Sequence, residues 1–150
     1  MSMNWLWGYW FPVGLLLLIW GGLPPHKARR VTPLAVLAVA LSTLSYWAVG
    51  FALHLGGAHA INPDDPTLAG LNMLLAPLGA EWGLAGITGF FLAGTTATAN
   101  VYALFLAYLP VMTAATVLVV LALSDARRWL VLVAGALTGA VIVPAAACWL

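Results

Sequence analysis

The side chains of this sequence that could bind a metal or act in catalysis are few and lie close together in the chain. His54 and His59 are five residues apart, and Asp64 and Asp65 follow them. Imidazole and carboxylate groups are common zinc ligands, but helical zinc sites usually place two histidines four residues apart on one face. A glycine pair separates these two histidines, so we expect no metal site. Glu81 lies further along the chain, and its spacing from His59 does not indicate a hydrolytic pair.

The motifs of common enzyme classes are missing from the sequence. It has no recognisable Ser-His-Asp triad motif, no Walker lysine and no dinucleotide-binding fingerprint. It also has no charged residue in the centre of an apolar run, where proton relays and pumps usually carry one. We therefore expect neither an enzyme nor a cofactor-binding protein, and we do not expect this chain alone to be an ion-coupled pump.

The composition indicates the environment in which the chain folds. Hydrophobic residues make up 64% of the 150 residues and charged residues only 6%, whereas soluble domains carry roughly 25% charged residues. A bilayer solvates a helix that is apolar on every side, and water does not. The chain is therefore predicted to be an integral membrane protein. Its formal net charge of +1 does not indicate nucleic-acid binding.

Four apolar stretches are long enough to cross a bilayer as helices. A spanning helix needs ~20 mostly apolar residues, because the hydrocarbon layer is ~30 Å thick and the helical rise is ~1.5 Å per residue. The predicted spans are residues 4–23, 31–55, 101–123 and 129–150. Pro33 would lie in the first turn of the second span, where a missing N–H is tolerated. The predicted fold class is all-α, a polytopic transmembrane helix bundle that forms a single domain over residues 1–150.

The segment between the second and third spans, residues 56–100, has a different pattern. Its first part, GGAHAINPDDPTLAG, is rich in residues that favour turns. Its second part is apolar but interrupted by Pro77, Glu81 and five glycines, so no unbroken run is long enough to span. We expect a long external loop on the membrane surface, with a short interfacial or re-entrant helix around residues 80–92.

The basic residues predict how the helices are oriented. All Lys and Arg residues fall in two short connections: Lys27, Arg29, Arg30, Arg127 and Arg128. Short basic connections usually remain cytoplasmic. Connections 24–30 and 124–128 are therefore predicted to be cytoplasmic in the cell (inner) membrane, with the long loop and both termini external. Trp20 and Trp129 would lie at the inner interface and Trp149 at the outer one.

Small residues in the second and fourth spans predict close helix packing. Gly135 and Gly139 form a small-xxx-small pair, and Ala38 and Ser42 have the same spacing in the second span. Such pairs allow two helix backbones to approach closely, either within one bundle or between two chains.

Pro110 interrupts the third span and removes one main-chain hydrogen-bond donor. The hydroxyl of Thr113 or Thr116 could then satisfy the backbone or line a polar path. A packing role for the proline is the simpler interpretation, although irregular backbone at membrane depth often borders a substrate site.

Four segments resemble the ammonium transporter and Rh family. LIWGGLPPHKARR (residues 18–30) is similar to the end of that family's first helix, and YWAVGFALHLGG (46–57) is similar to the end of its second. YALFLAYLPVMTAATVLVVLALSDARRW (102–129) resembles the third helix with the acid–Arg loop that follows it, and VIVPAAACW (141–149) resembles the end of the fourth. The segments keep the family's order and cover nearly the whole chain.

The resemblance implies a pore and positions that line it. Family members form trimers and conduct ammonium or ammonia through a pore within each subunit. A Phe gates that pore on the third helix shortly after a Gln; this sequence has Tyr108 in place of the Gln and Val111 in place of the Phe. The family's His-x-x-Trp turn corresponds to Ala147 and Leu150, with Trp149 one place early. The implied substrate-binding positions are therefore Trp149, Tyr108 and Val111.

Two functional hypotheses follow. The family pore forms between two inverted repeats, and four helices are not expected to complete even one repeat. Under the first hypothesis the chain resembles the N-terminal part of an ammonium transporter and transports ammonium or ammonia only when further helices complete it. The alternative is a non-conducting structural or accessory subunit of a larger membrane complex. Both hypotheses predict membrane lipid as a partner, together with other membrane subunits or further copies of the chain.

Overall fold

Helix dominates the computed structural model of this chain, which describes residues 7–75, 85–94 and 97–148. The α-helices are α1 (Trp10–Gly22), α2 (Pro25–Ser45), α3 (Phe51–Leu55), α4 (Ala58–Ile61), α5 (Ala99–Ala122), α6 (Arg128–Leu137) and α7 (Val143–Cys148). Two π-helical segments, Tyr46–Gly50 and Thr138–Ile142, join α2 to α3 and α6 to α7. The predicted all-α class is confirmed.

Three helices are long and apolar enough to cross a membrane: Pro25–Ile61, Ala99–Ala122 and Arg128–Ala147. The helix Trp7–Gly22 is apolar but shorter. Many large apolar side chains on these helices are exposed, as expected of helices whose outer surface faces lipid. Three of the four predicted spans therefore correspond to helices of spanning length.

The second helix begins earlier than predicted. The sequence pattern places its start at residue 31, whereas α2 begins at Pro25, and the amide of Ala28 donates to the carbonyl of Pro24 at 2.9 Å. Pro25 occupies the first helical position, where its fixed φ suits the helix and its missing N–H is not needed. Pro33 consequently lies inside α2 and not in its first turn.

The chain divides into two compact units. The first unit combines the described residues up to Leu44 with Ala107–Gly139. Its core consists of aliphatic side chains that are almost fully buried: Ile19, Val31, Ala35, Ala38, Val117, Val120 and Val131. These residues belong to α1, α2, α5 and α6, so four helices pack around one apolar centre in this unit.

Two polar contacts join the start of α2 to the turn before α6 within the first unit. The Nζ atom of Lys27 lies 2.7 Å from Oδ1 of Asp125. The guanidinium of Arg30 donates to the carbonyl oxygen of Ala126 at 3.1 Å. Both basic turns therefore lie at the same end of this unit, as an up-and-down arrangement of its helices requires.

The second unit comprises the described parts of Ser45–Leu106 and of the chain from Ala140 onward. In this unit α3 packs against α7. The short strands β1 (Leu74–Leu75) and β2 (Ala85–Gly86) form an antiparallel pair. A Cβ atom on Gly86 would overlap the carbonyl of Ala52 and the main chain of Gly56. Strand β2 thus lies directly on the backbone at the end of α3, and only glycine permits this approach.

The interfacial helix predicted around residues 80–92 is wrong in its described part. There β2 is followed by a single 3₁₀ turn, Phe90–Leu92. The backbone φ is positive at Gly89, Phe91, Leu92 and Gly94, and a right-handed helix cannot continue through such residues. Residues 80–84 of that prediction lie outside the described residues. The predicted loop 56–100 is also too long, because helix continues to Ile61 and α5 begins at Ala99.

Candidate functional site: an apolar groove and a buried hydroxyl pair

An open groove of ≈ 380 Å³ lies beside Pro110 on the first unit. Its lining residues are Gly8, Phe11, Pro110, Val111, Ala114, Ala115 and Leu118. Two of them lie at the start of the first helix and five lie on α5, and almost no polar atom reaches the groove. The groove can therefore accommodate an apolar group, and its described lining residues offer almost no hydrogen-bonding partner to a charged one.

Small residues and the proline explain why the groove forms. The position that a Cβ atom would take on Gly8 is 3.4 Å from the Cβ and Cγ atoms of Pro110, so the proline ring packs directly against the glycine. One turn later α5 carries Ala114 and Ala115, whose methyl groups leave space above the helix backbone. The groove is a consequence of short side chains on two neighbouring helices.

The structure describes two of the three substrate-binding positions that the family resemblance implies. Val111 lines the groove and is 57% exposed. Tyr108 lies half-buried in α5, three residues before Val111, and does not line the groove. Trp149 lies outside the described residues. The structure therefore brings only Val111 of this set to the groove.

The hydroxyls of the two threonines that follow Pro110 bind main-chain carbonyls. This is the first of their two predicted roles, and the second was to line a polar path. The hydroxyl of Thr113 donates to the carbonyl of Pro110 at 3.0 Å. The hydroxyl of Thr116 lies 2.9 Å from the carbonyl of Met112 and is fully buried. Neither hydroxyl lines the groove, so the groove is not a polar path.

Ser42 and Thr116 form a buried hydroxyl pair in the first unit. Their oxygens are 2.7 Å apart, and neither residue has any exposed surface. A hydroxyl has one hydrogen, so when Thr116 donates to Met112, Ser42 must donate to Thr116. In this arrangement each hydroxyl hydrogen has an acceptor, so the pair joins α2 to α5 without a bridging water.

Gly135 of α6 and Gly139 of the π-helical segment that follows it pack against the same part of α2. A Cβ atom on Gly139 would overlap the carbonyl oxygen of Ser42 and lie 2.7 Å from its Oγ atom. A Cβ atom on Gly135 would lie 2.9 Å from Cβ of Ala38. The predicted small-residue packing between the second and fourth spans is confirmed, and it occurs within one chain.

A second buried polar pair, in the second unit, was not identified from the sequence. The hydroxyl of Tyr46 is 3.0 Å from Nδ1 of His54, and Tyr46 is fully buried. Its ring stacks on Phe105 with 5.5 Å between centroids and meets Phe51 edge to face at 6.1 Å. The eight-residue spacing of Tyr46 and His54, which places both near one helix face, was the signal that could have indicated this pair.

The described histidines and acids that the sequence offered as metal ligands do not form a metal-binding cluster. Within residues 7–75, 85–94 and 97–148, no group of three or more His, Cys, Asp or Glu side chains is placed to hold a metal ion. Asp65 accepts hydrogen bonds from the amide and hydroxyl of Thr67 at 2.8 and 2.6 Å. These bonds from Thr67 hold the pKa of Asp65 below its usual value. The carboxylate therefore stabilises a turn, and Glu81 lies outside the described residues.

Comparison with known proteins provides no independent assignment: no family model, no curated protein and no solved structure matches the chain.

Proposed function

We propose that this chain is an integral membrane protein that forms one wall of a transport unit for ammonium or ammonia and conducts only when further transmembrane helices complete it. The observation that carries the proposal is the exposure of Val111 beside an apolar groove. The family resemblance aligns Val111 with a pore-gating position. If this chain forms only part of a pore wall, its pore-lining residues must lie on the outer surface of its helices, where the further helices would add.

The packing of the first unit supports the requirement for further helices. Its centre is filled by aliphatic side chains, and the Ser42–Thr116 pair and Gly139 occupy the space between α2, α5 and the helix Arg128–Ala147. No route for a solute is therefore apparent among these described residues. The groove is the face to which additional helices would add.

We further propose four spanning helices, with the first extending over residues 4–23, and cytoplasmic connections at 24–30 and 124–128. The described helix Trp7–Gly22 has 16 residues, or about 24 Å of helix at ~1.5 Å per residue. Leu23 is extended and ends this helix, so its described length is about 6 Å below the ~30 Å of a bilayer core, and a short span is accommodated by local thinning of the bilayer. Both termini and the long loop would then be external.

The alternative function is a non-conducting accessory subunit of a larger membrane complex. The almost wholly apolar lining of the groove favours it, because a transported cation gains nothing from such a surface. In this case the groove would receive a transmembrane helix of the complex. Tyr108 and Trp149 would have no substrate to bind.

Uptake of radiolabelled methylammonium separates the two functions. The tagged chain is purified from its native membranes with every subunit that remains bound, and the whole assembly is reconstituted into proteoliposomes. The transport proposal predicts uptake above that of empty liposomes, and it predicts a reduction of at least several-fold in Val111→Trp, which fills the groove. Val133→Trp is the matched control, because Val133 is 48% exposed on α6 and lies outside the groove.

The outcomes of this experiment are distinct. Uptake that Val111→Trp reduces and Val133→Trp leaves intact supports transport along this face. Absence of uptake in an assembly that still contains its co-purified membrane subunits supports the accessory function. Uptake that is insensitive to Val111→Trp contradicts the assignment of this face as the pore wall.

A further inference from the structure

One end of the first unit concentrates positive charge. The basic end, defined here as residues 24–30 and 124–128, contains all five Lys and Arg residues of the chain and a single carboxylate, Asp125. It therefore carries four net positive charges, whereas the whole chain has a formal net charge of +1. Charge of this density next to apolar helices attracts anions at the membrane surface.

Two of the five cations are engaged in contacts within the protein. Lys27 pairs with Asp125 at 2.7 Å, and Arg30 donates to the carbonyl of Ala126 at 3.1 Å. These contacts fix the start of α2 against the turn before α6. The basic end is thus one defined surface formed by both segments.

The other three cations have no such partner. Arg29, Arg127 and Arg128 are exposed, and within the described part of the chain they make no ion pair or side-chain hydrogen bond. Asp125, the one acid nearby, is held by Lys27, and the hydrogen bond and charge of Lys27 keep the pKa of Asp125 below its usual value. Three guanidinium groups therefore face the surroundings without a counter-charge.

The position of the basic end relative to the bilayer indicates which anion it can contact. Trp20 lies two residues before the end of α1 and is 69% exposed, and Trp129 lies in the first turn of α6 and is 57% exposed. Indole rings favour the headgroup region of a bilayer. Arg127 and Arg128 directly precede Trp129, and Arg29 lies near the start of α2, nine residues after Trp20. All three lie at the ends of apolar helices, so they are placed at the level of lipid phosphates.

We propose that the basic end binds the phosphate groups of anionic phospholipids, with Arg29, Arg127 and Arg128 as the contacting residues. A guanidinium matches the phosphate geometry with two parallel N–H donors, which an ammonium does not. Lys27 and Arg30 are positioning residues that hold the two turns together. This inference rests on the proposed membrane insertion but not on the proposed transport.

Lipid binding is measured by native mass spectrometry of the purified chain in micelles, titrated with phosphatidylglycerol or with phosphatidylcholine of the same acyl chains. We expect the wild type to retain phosphatidylglycerol in preference to phosphatidylcholine. Each arginine at an anionic surface contributes roughly a five-fold preference, so Arg127→Gln/Arg128→Gln should reduce the preference by roughly 25-fold. His26→Gln, an exposed neighbour in the same turn, should leave it unchanged.

Two further variants and one competitor complete the design. Arg127→Lys/Arg128→Lys retains the charge and should recover only part of the preference, and its far-UV circular dichroism checks that the helices are intact. Inorganic phosphate and the deacylated headgroup, glycerophosphoglycerol, are added as competitors. Because the lipid is anchored by its chains, neither should displace it at millimolar concentration.

Equal retention of the two lipids by the wild type, or an unchanged preference in the Gln pair, would overturn the proposal. Displacement by inorganic phosphate would show a free-anion site and overturn the assignment to lipid. Resistance of the chain to carbonate extraction from membranes is measured in parallel. Failure of insertion is thereby distinguished from failure of lipid binding.

Discussion

Gly139 lies so close to Ser42 that the helix Arg128–Ala147 and α2 meet through main-chain atoms. No side chain fits between them, since a Cβ atom on Gly139 would overlap the carbonyl oxygen of Ser42. The same serine uses its hydroxyl to bind Thr116 of α5. Ser42 is therefore the residue through which three helices of the first unit are held together.

Replacing Gly139 should destabilise the bundle. In Gly139→Ala the new methyl group meets backbone, which cannot rotate away, so we expect a loss of about 1–3 kcal/mol. Thermal unfolding in detergent micelles, followed by far-UV circular dichroism, measures it. Gly14→Ala is the matched control, because nothing lies within 4 Å of its Cβ position in α1. That variant should be neutral or slightly stabilised by its higher helix propensity. An equal effect of both substitutions would contradict the close approach.

The Ser42–Thr116 hydrogen bond should appear as a coupling energy. A double-mutant cycle with Ser42→Ala and Thr116→Val is expected to give about 0.6 kcal/mol, the average for hydrogen bonds between transmembrane helices. The comparison cycle pairs Ser42→Ala with Thr113→Val, whose hydroxyl binds Pro110. That cycle should be additive within ~0.5 kcal/mol. Zero coupling in the first cycle would mean that the two hydroxyls do not pair.

The Tyr46–His54 contact should contribute to the stability of the second unit. Tyr46→Phe removes the hydroxyl but retains the ring that stacks on Phe105, and we expect a loss of about 1 kcal/mol. Tyr102→Phe is the control, since the Tyr102 hydroxyl is 3.5 Å from the carbonyl of Leu92, a distance at which hydrogen bonds are weak. The same unfolding assay compares the two variants. Greater damage from Tyr102→Phe would contradict this ranking.

The Lys27–Asp125 pair should make stability depend on pH in the acid range. The hydrogen bond and charge of Lys27 lower the pKa of Asp125 in the folded protein. The stabilisation is thus complete above the ordinary aspartate pKa of about 3.9 and is lost as the pH falls through the lower folded value.

The measurement for this pair compares wild type with Asp125→Asn across a pH series. We expect the wild type to have the higher unfolding temperature near neutral pH, by a few degrees at most because the pair is exposed. The two curves should converge below pH 4. Asp64→Asn, in the long loop, is the carboxylate control. A difference that persists at the lowest pH would contradict the ion-pair explanation.

Cysteine labelling tests the proposed orientation. The substitutions His26→Cys and Ile61→Cys are introduced separately into a Cys148→Ala background. Intact cells are then treated with a membrane-impermeant maleimide. Position 61 should label from outside and position 26 only after permeabilisation. His26 is exposed and Ile61 is 65% exposed, whereas Ala28 in the same turn is buried and unsuitable. Labelling of both from the same side would overturn the four-span arrangement.

The sequence alone was sufficient for the features that depend on local composition. The spanning helices were predicted from stretches that would be apolar on every face of a helix, because only lipid solvates such a surface. The spacing of Gly135 and Gly139 predicted a contact with small residues, because removing side chains is the condition for backbones to approach. The predicted start of the second span at residue 31 missed the first turns of α2, which begins at Pro25, because charged residues in those turns interrupt the apolar pattern without ending the helix.

The tertiary structure decided which residues meet across long stretches of chain. Ser42 and Thr116 are 74 residues apart, and each could have satisfied its own helix backbone, so their pairing follows from how α2 and α5 pack. Val111 is one of many valines on α5, and only packing against the first helix leaves it exposed beside a groove. Hydrophobicity specifies that a helix enters the membrane. The rotation of each helix about its axis is set by close packing and hydrogen bonds with its neighbours, which no single helix encodes.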